Sequence, residues 1–170
     1  MTVPRPSPSA RRTFDAVDRT ITRTLAKAGM PVLRIGLGIV FFWFGILKLF
    51  PGLSPAEDLA ARTIQTLSGG AIGPSLSLPV LAIWECLIGL GLLVDRFLRA
   101  TLFLLAVQML GTLTPLFLFP SETWTHFPFA PTLEGQYIIK NVVLIAGAMV
   151  VGSTVRGGRI VPEPDLAAGR

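Results

Sequence analysis

The chain is expected to fold as an all-α integral membrane protein, a bundle of four membrane-spanning helices. Three observations lead there. The 170 residues are 51% hydrophobic and only 15% charged, and the mean hydropathy is +0.65; a soluble domain carries about a quarter charged residues. The charges cluster, leaving four stretches long enough to cross a bilayer, which takes about 17 to 25 apolar residues. One cysteine, Cys86, and one histidine, His126, rule out an intramolecular disulfide, a Cys-x-x-Cys pair, bis-histidine haem ligation and a multi-histidine metal site. No haem, metal or disulfide is therefore expected. At this length a single domain is expected.

Residues 1–30 read as a cytoplasmic tail. The first ten, with three prolines, are expected to lack structure. "ARRTF" resembles a twin-arginine export signal only in passing, because no apolar core follows it. "DAVDRTITRTLAKAG" follows instead, with Phe14, Val17, Ile21, Leu25 and Ala28 at helical spacing and Arg19, Arg23 and Lys27 opposite. That pattern predicts a basic amphipathic helix on an anionic lipid surface.

The membrane domain covers residues 31–153, with spans at 31–50, 77–95, 98–120 and 136–153. "DRFLR" between the second and third spans predicts a tight helical hairpin. In the loop after the first span, "SPAE" predicts a capping box with Ser54 as N-cap, Pro55 at the first helical position and Glu57 reaching back. Gly69-Gly70 would end that short outer-surface helix, 55–68. Trp124, Phe127 and Phe129 in the next outer loop suit an interfacial belt. Residues 154–170 form the C-terminal tail.

Lysine and arginine outside the spans set the direction. Arg5, Arg11, Arg12, Arg19, Arg23, Lys27, Arg96, Arg99, Arg156, Arg159 and Arg170 fall on one side, and Arg62 alone on the other. Eleven against one predicts both termini in the cytoplasm. The net charge of +5 is then a topology signal, and no nucleic-acid partner is expected.

Three spans bring an ionisable group to similar depth. By helix rise, Lys48 lies roughly 4.5 Å, Glu85 roughly 9 Å and Lys140 roughly 6 Å below the outer end. A charge near the middle of a span costs about 2.5–3.5 kcal/mol on insertion scales, and the short Glu85 side chain cannot snorkel out. A Lys48–Glu85–Lys140 cluster is expected, with a residual positive charge that invites an anion or a polar carbonyl ligand. Asn141, Gln108, Thr112 and Thr114 lie in the same outer half. Pro115 would kink the third helix and free a carbonyl, and Trp43 and Trp84 would supply flat walls. Gly36, Gly38, Gly45, Gly89, Gly91, Gly147, Ala148 and Gly152 mark close helix packing, which is also the expected role of Cys86. No nucleophile–base arrangement occurs.

"RIGLGIVFFWFGILKL", "LAIWECLIGLGLLVDR" and "EGQYIIKNVVLIAGAMVVG" resemble the DoxX-like superfamily of small four-helix membrane proteins. They are nearest the branch that includes the bacterial reactive-chlorine-resistance inner-membrane protein. The resemblance implies a multi-pass protein of a bacterial-type cytoplasmic membrane. Some members are similar to subunits of a thiosulfate:quinone oxidoreductase, others associate with oxidative-stress partners, and distant relatives act as cargo receptors or assembly chaperones. It also implies that Lys48, Glu85, Lys140 and Asn141 occupy positions where the superfamily keeps polar residues inside the bundle. The expected function is a non-catalytic membrane subunit, accessory to a redox or other membrane complex, with a polar ligand pocket in the outer half. A quinone is a candidate ligand, and the expected partners are the lipid bilayer and either a protein partner or further copies of the chain. A quinone-linked oxidoreductase subunit, a small transporter and a pure scaffold are the alternatives.

Overall fold

The computed structural model describes residues 8–162. The element order is α1 (Pro8–Leu47), α2 (Glu57–Leu67), α3 (Pro74–Val94), α4 (Leu98–Leu113), α5 (Pro115–Leu118), α6 (Pro120–Thr123), β1 (Trp124–His126), β2 (Ala130–Pro131), α7 (Leu133–Ile139) and α8 (Asn141–Ser153). Among the described residues, four stretches are long and apolar enough to cross a membrane: Phe14–Leu47, Pro74–Val94, Leu98–Leu118 and Leu133–Ser153. The protein is a multi-pass helical membrane protein. The C-terminal end of α8 lies beside the α3–α4 turn at one end of the bundle, called here the termini end. The opposite end carries α2 and the β1–β2 hairpin and is called here the capped end.

The N-terminal segment departs from expectation. Helix α1 begins at Pro8 and runs unbroken to Leu47, so residues 8–10 are helical and the amphipathic segment is continuous with the first span. Gly29 lies between the segment and the span without interrupting the helix, and Ala26 and Ala28 favour helix. Pro31, inside the helix, removes one N–H donor without ending it. Residues 1–7 and 163–170 of the two expected tails lie outside the described residues.

Each span packs on two neighbours, in the cyclic order α1, α3, α4, α8. Leu37 and Phe41 of α1, Ile88 and Leu92 of α3, Leu105 and Met109 of α4, and Ala148 and Val151 of α8 form the central core. A smaller cluster at the capped end joins Leu59 of α2, Leu116 of α5 and Ile138 of α7. Helix α2 thus lies over that end of the bundle.

The closest approach is between α1 and α3. A Cβ built on Gly89 would stand 2.6 Å from Phe42 Cβ, and one on Gly45 would stand 2.9 Å from the Cys86 backbone nitrogen. Neither space admits a methyl group, so glycine is required for the two backbones to meet. In lipid, where apolar side chains gain little by leaving the solvent, such packing is a main source of helix association. Gly36 meets nothing within 4 Å, so its expected role in close packing does not hold; it lies on the exposed side of α1.

Local signals shaped the connections in part. Glu57 does reach back, accepting from Ser54 N at 2.9 Å and Gly52 N at 3.1 Å. The Ser54 hydroxyl does not complete the box: it contacts Pro55 O, because Ala56 adopts a left-handed conformation (φ 58°) that delays the helix to Glu57. At the other end Gly70 N bonds Gln65 O at 2.8 Å and Gly69 N bonds Thr66 O at 3.2 Å, a Schellman stop with both glycines at positive φ. The α3–α4 turn is as tight as expected. Thr132 caps α7 by accepting from Gly135 N.

Replacing Gly89 by Ala is expected to lower stability by about 1–3 kcal/mol through overpacking against Phe42, whereas Gly36→Ala should be neutral. Thermal unfolding of the two variants in the same detergent separates them; equal melting would show that the α1–α3 approach is not as tight as described.

Candidate functional site

Antiparallel packing of α1 on α3 brings Lys48, at the end of α1, beside Glu85. Lys48 Nζ lies 2.7 Å from Glu85 Oε2, and both side chains are about nine-tenths buried. Lys48 also donates to Phe44 O at 3.3 Å. The other carboxylate oxygen, Oε1, accepts from Gln108 Nε2 of α4 at 2.7 Å. Two donors on one carboxylate are the arrangement of an ionised Glu85. The site therefore joins three of the four spans, on the capped-end side of the central core.

The second lysine is elsewhere. Lys140 is exposed and lies over the Tyr137 ring at 3.6 Å and the Phe44 ring at 5.9 Å. The expected Lys–Glu–Lys cluster is thus a Lys48–Glu85–Gln108 cluster. Both carboxylate oxygens of Glu85 are already occupied, and consecutive helical residues point about 100° apart. Asn141 takes the inward position and is 6% exposed, which leaves Lys140 outside. The polar core is a neutral ion pair, and the uncompensated positive charge stands apart on an aromatic platform.

The remaining expected residues divide. Trp84 lies between α3 and α4, its indole N–H donating to Leu104 O at 3.1 Å. Trp43 is 61% exposed and faces outward, so it is not a wall of the site. Thr112 donates to Gln108 O at 2.9 Å, within its own helix. The carbonyl that Pro115 would free, Gly111 O, is taken by the Thr114 hydroxyl at 2.6 Å and by Thr114 N at 3.2 Å. It is not open to a ligand, since the residue before the proline has folded back to cap it. Asn141 makes no side-chain hydrogen bond among the described residues, and Gln108 Oε1 is buried without a partner.

Sequence reasoning missed two anchors. Arg34 donates to the carbonyls of Leu92 and Leu93 and pairs with Asp95 Oδ1 at 3.5 Å. A cation on the last turn of α3 complements the negative end of its dipole and satisfies carbonyls that lack helical partners. The signal was present: an arginine one turn inside an apolar run, at the same end as "DRFLR". Tyr137 was the other omission, three residues before Lys140 and so on its face of the helix.

At the capped end Arg62 of α2 grips the Glu122 carboxylate with both terminal nitrogens, Nη1 to Oε1 at 2.7 Å and Nη2 to Oε2. It also lies 5.2 Å from the centre of the Phe119 ring. This fork ties the covering helix α2 to α6. The hydrogen bonds from Arg62 hold the Glu122 carboxyl below its usual value of 4.5.

A small helical membrane protein with a charged pair buried between its spans is the class that the fold and this geometry define. The DoxX family model matches residues 29–119, more than half of the chain, and the chain belongs to the DoxX family. The matched region holds Lys48, Glu85, Trp84, Gln108 and Thr112; Lys140 and Asn141 lie beyond it. No curated protein and no solved structure matches the chain.

Breaking the pair from one side should be costly. Lys48→Met leaves an uncompensated carboxylate and is expected to destabilise the bundle by about 3–5 kcal/mol. The double variant Lys48→Met/Glu85→Gln removes both charges and should recover most of that loss, as read from melting temperatures in detergent.

The outer fork has its own pH signature. Because the folded-state pKa of Glu122 is lowered, its contribution is complete at neutral pH and is lost as pH falls below the usual 4.5. Spin labels at the exposed Thr66 and Ser121 should report one distance between pH 7 and 5 and a broadened distribution at lower pH. Arg62→Gln should give the broad distribution already at neutral pH.

Proposed function

We propose that this DoxX-family protein is a non-catalytic membrane subunit, accessory to a redox or other membrane complex. Its Lys48–Glu85–Gln108 site binds a small polar-headed ligand, with a quinone as the candidate. The observation that carries this reading is the ion pair buried between three spans, because an ionisable side chain inside a membrane segment is expensive and its default reading is functional. Lys140, Asn141 and Trp84 border the ligand in this reading. Thr112 contributes through the backbone of Gln108.

The subunit reading is supported by the sequence, which supplies one cysteine and one histidine; electrons in any associated chemistry belong to a ligand or a partner. Orientation is part of the proposal. Eleven basic residues against one put both termini in the cytoplasm, in a bacterial-type cytoplasmic membrane with the site in the outer leaflet. Within the family the chain is read as nearest the reactive-chlorine-resistance branch, through the motifs of its first, second and fourth spans.

The test is purification of the wild type and of Glu85→Gln from native membrane into nanodiscs, followed by native mass spectrometry. A protein or small molecule retained stoichiometrically by the wild type and lost in the variant is the expected result. Equal recovery of every bound species, with equal stability, would end the proposal and leave the pair a device that fixes helix register.

A further inference from the structure

The hydrogen-bond inventory of the site is unbalanced in a way that specifies the ligand. Glu85 directs the orientation of the Gln108 amide. Its oxygen accepts at 2.7 Å, so the NH₂ end of Gln108 must face it, and the carbonyl end must face away; the reverse amide would set oxygen against oxygen. Gln108 Oε1 is thereby fixed as an acceptor without a donor, on a residue only 8% exposed. Buried acceptors in this position are costly and are rarely left unmet. On the adjoining helix α8, Asn141 is 6% exposed and its amide makes no hydrogen bond among the described residues. Gln108 Oε1 therefore lacks a partner, among the described residues, beside an ion pair that is itself satisfied.

The carboxylate and the ammonium already complete each other, so an anion gains nothing from them. What is missing is a donor for Gln108. A ligand arriving through lipid has to be mostly apolar, with its donor on an apolar body. We propose that the site selects an amphiphile whose ring carries a hydroxyl group, of the phenol or hydroquinone class, and that the hydroxyl donates to Gln108 Oε1. This rests on the reading of the Lys48–Glu85–Gln108 cluster as a ligand site and adds a preference within it. A head bearing only carbonyl oxygens places an acceptor against an acceptor. For a quinone couple, the reduced form is the one bound.

A matched pair of probes tests the donor requirement: 4-hexylphenol and 4-hexylanisole differ by methylation of the one hydroxyl. Saturable retention of each is measured on nanodiscs carrying the full chain, with empty nanodiscs subtracted to remove partition into lipid. The expected result is that the phenol binds about tenfold or more tighter than the anisole, the consequence of leaving a buried acceptor unpaired. Gln108→Met should reduce phenol retention to the anisole level, with folding of the variant checked by its melting curve. If that variant does not fold, the comparison on the wild type still decides. Equal saturable binding of both probes would overturn the donor requirement while sparing the ligand site. Absence of saturable binding by either would overturn both, leaving Gln108 Oε1 to a trapped water.

Discussion

The close approach of α1 to α3 is the constraint on which the rest depends. Gly89 receives Phe42, and Gly45 receives the backbone at Cys86. With no hydrophobic drive between helices in lipid, this fit is what fixes their register. The register in turn sets Lys48 against Glu85 at 2.7 Å, and at the other end of the same two helices it sets Arg34 against the last carbonyls of α3. One packing surface thus positions both of the cations buried on α1. A larger residue at Gly89 would move the two contacts together.

The ion pair has a structural role whatever else it does. It neutralises two charges that neither helix could bury alone, and it recruits Gln108 from α4 to complete the carboxylate. Polar groups in the spans mostly satisfy themselves close to home: Thr112 and Thr114 bond backward within their helix, and Trp84 bonds the backbone of its neighbour. Against that background the bare carbonyl of Gln108 and the amide of Asn141 are exceptions. The polar interior is closed at the charge, and Gln108 Oε1 is left without a partner among the described residues.

The covering helix follows a different logic. Helix α2 is held by one apolar cluster, by Glu57 on the backbone of Gly52 and Ser54, and by the exposed Arg62–Glu122 fork. Exposed ion pairs contribute little to stability. The fork therefore adds little to the hold of the apolar cluster on α2.

The sequence by itself determined the four spans, the tight turn between the second and third, the short helix above the bundle and the need of Glu85 for a lysine partner. Each follows from composition or from a cost that one residue cannot avoid: long apolar runs must span, and a short buried carboxylate must find a cation. The tertiary structure decided which lysine was chosen, that Gln108 took the second carboxylate oxygen, and that Lys140 turned outward onto Tyr137. It also decided that Trp43 faces away from the site and that the Gly111 carbonyl is capped by Thr114. Depth along a helix can be counted from the sequence, because rise per residue is constant. The direction a side chain faces depends on how each helix is rotated against its neighbours, and that rotation is set by packing between distant residues such as Gly89 and Phe42.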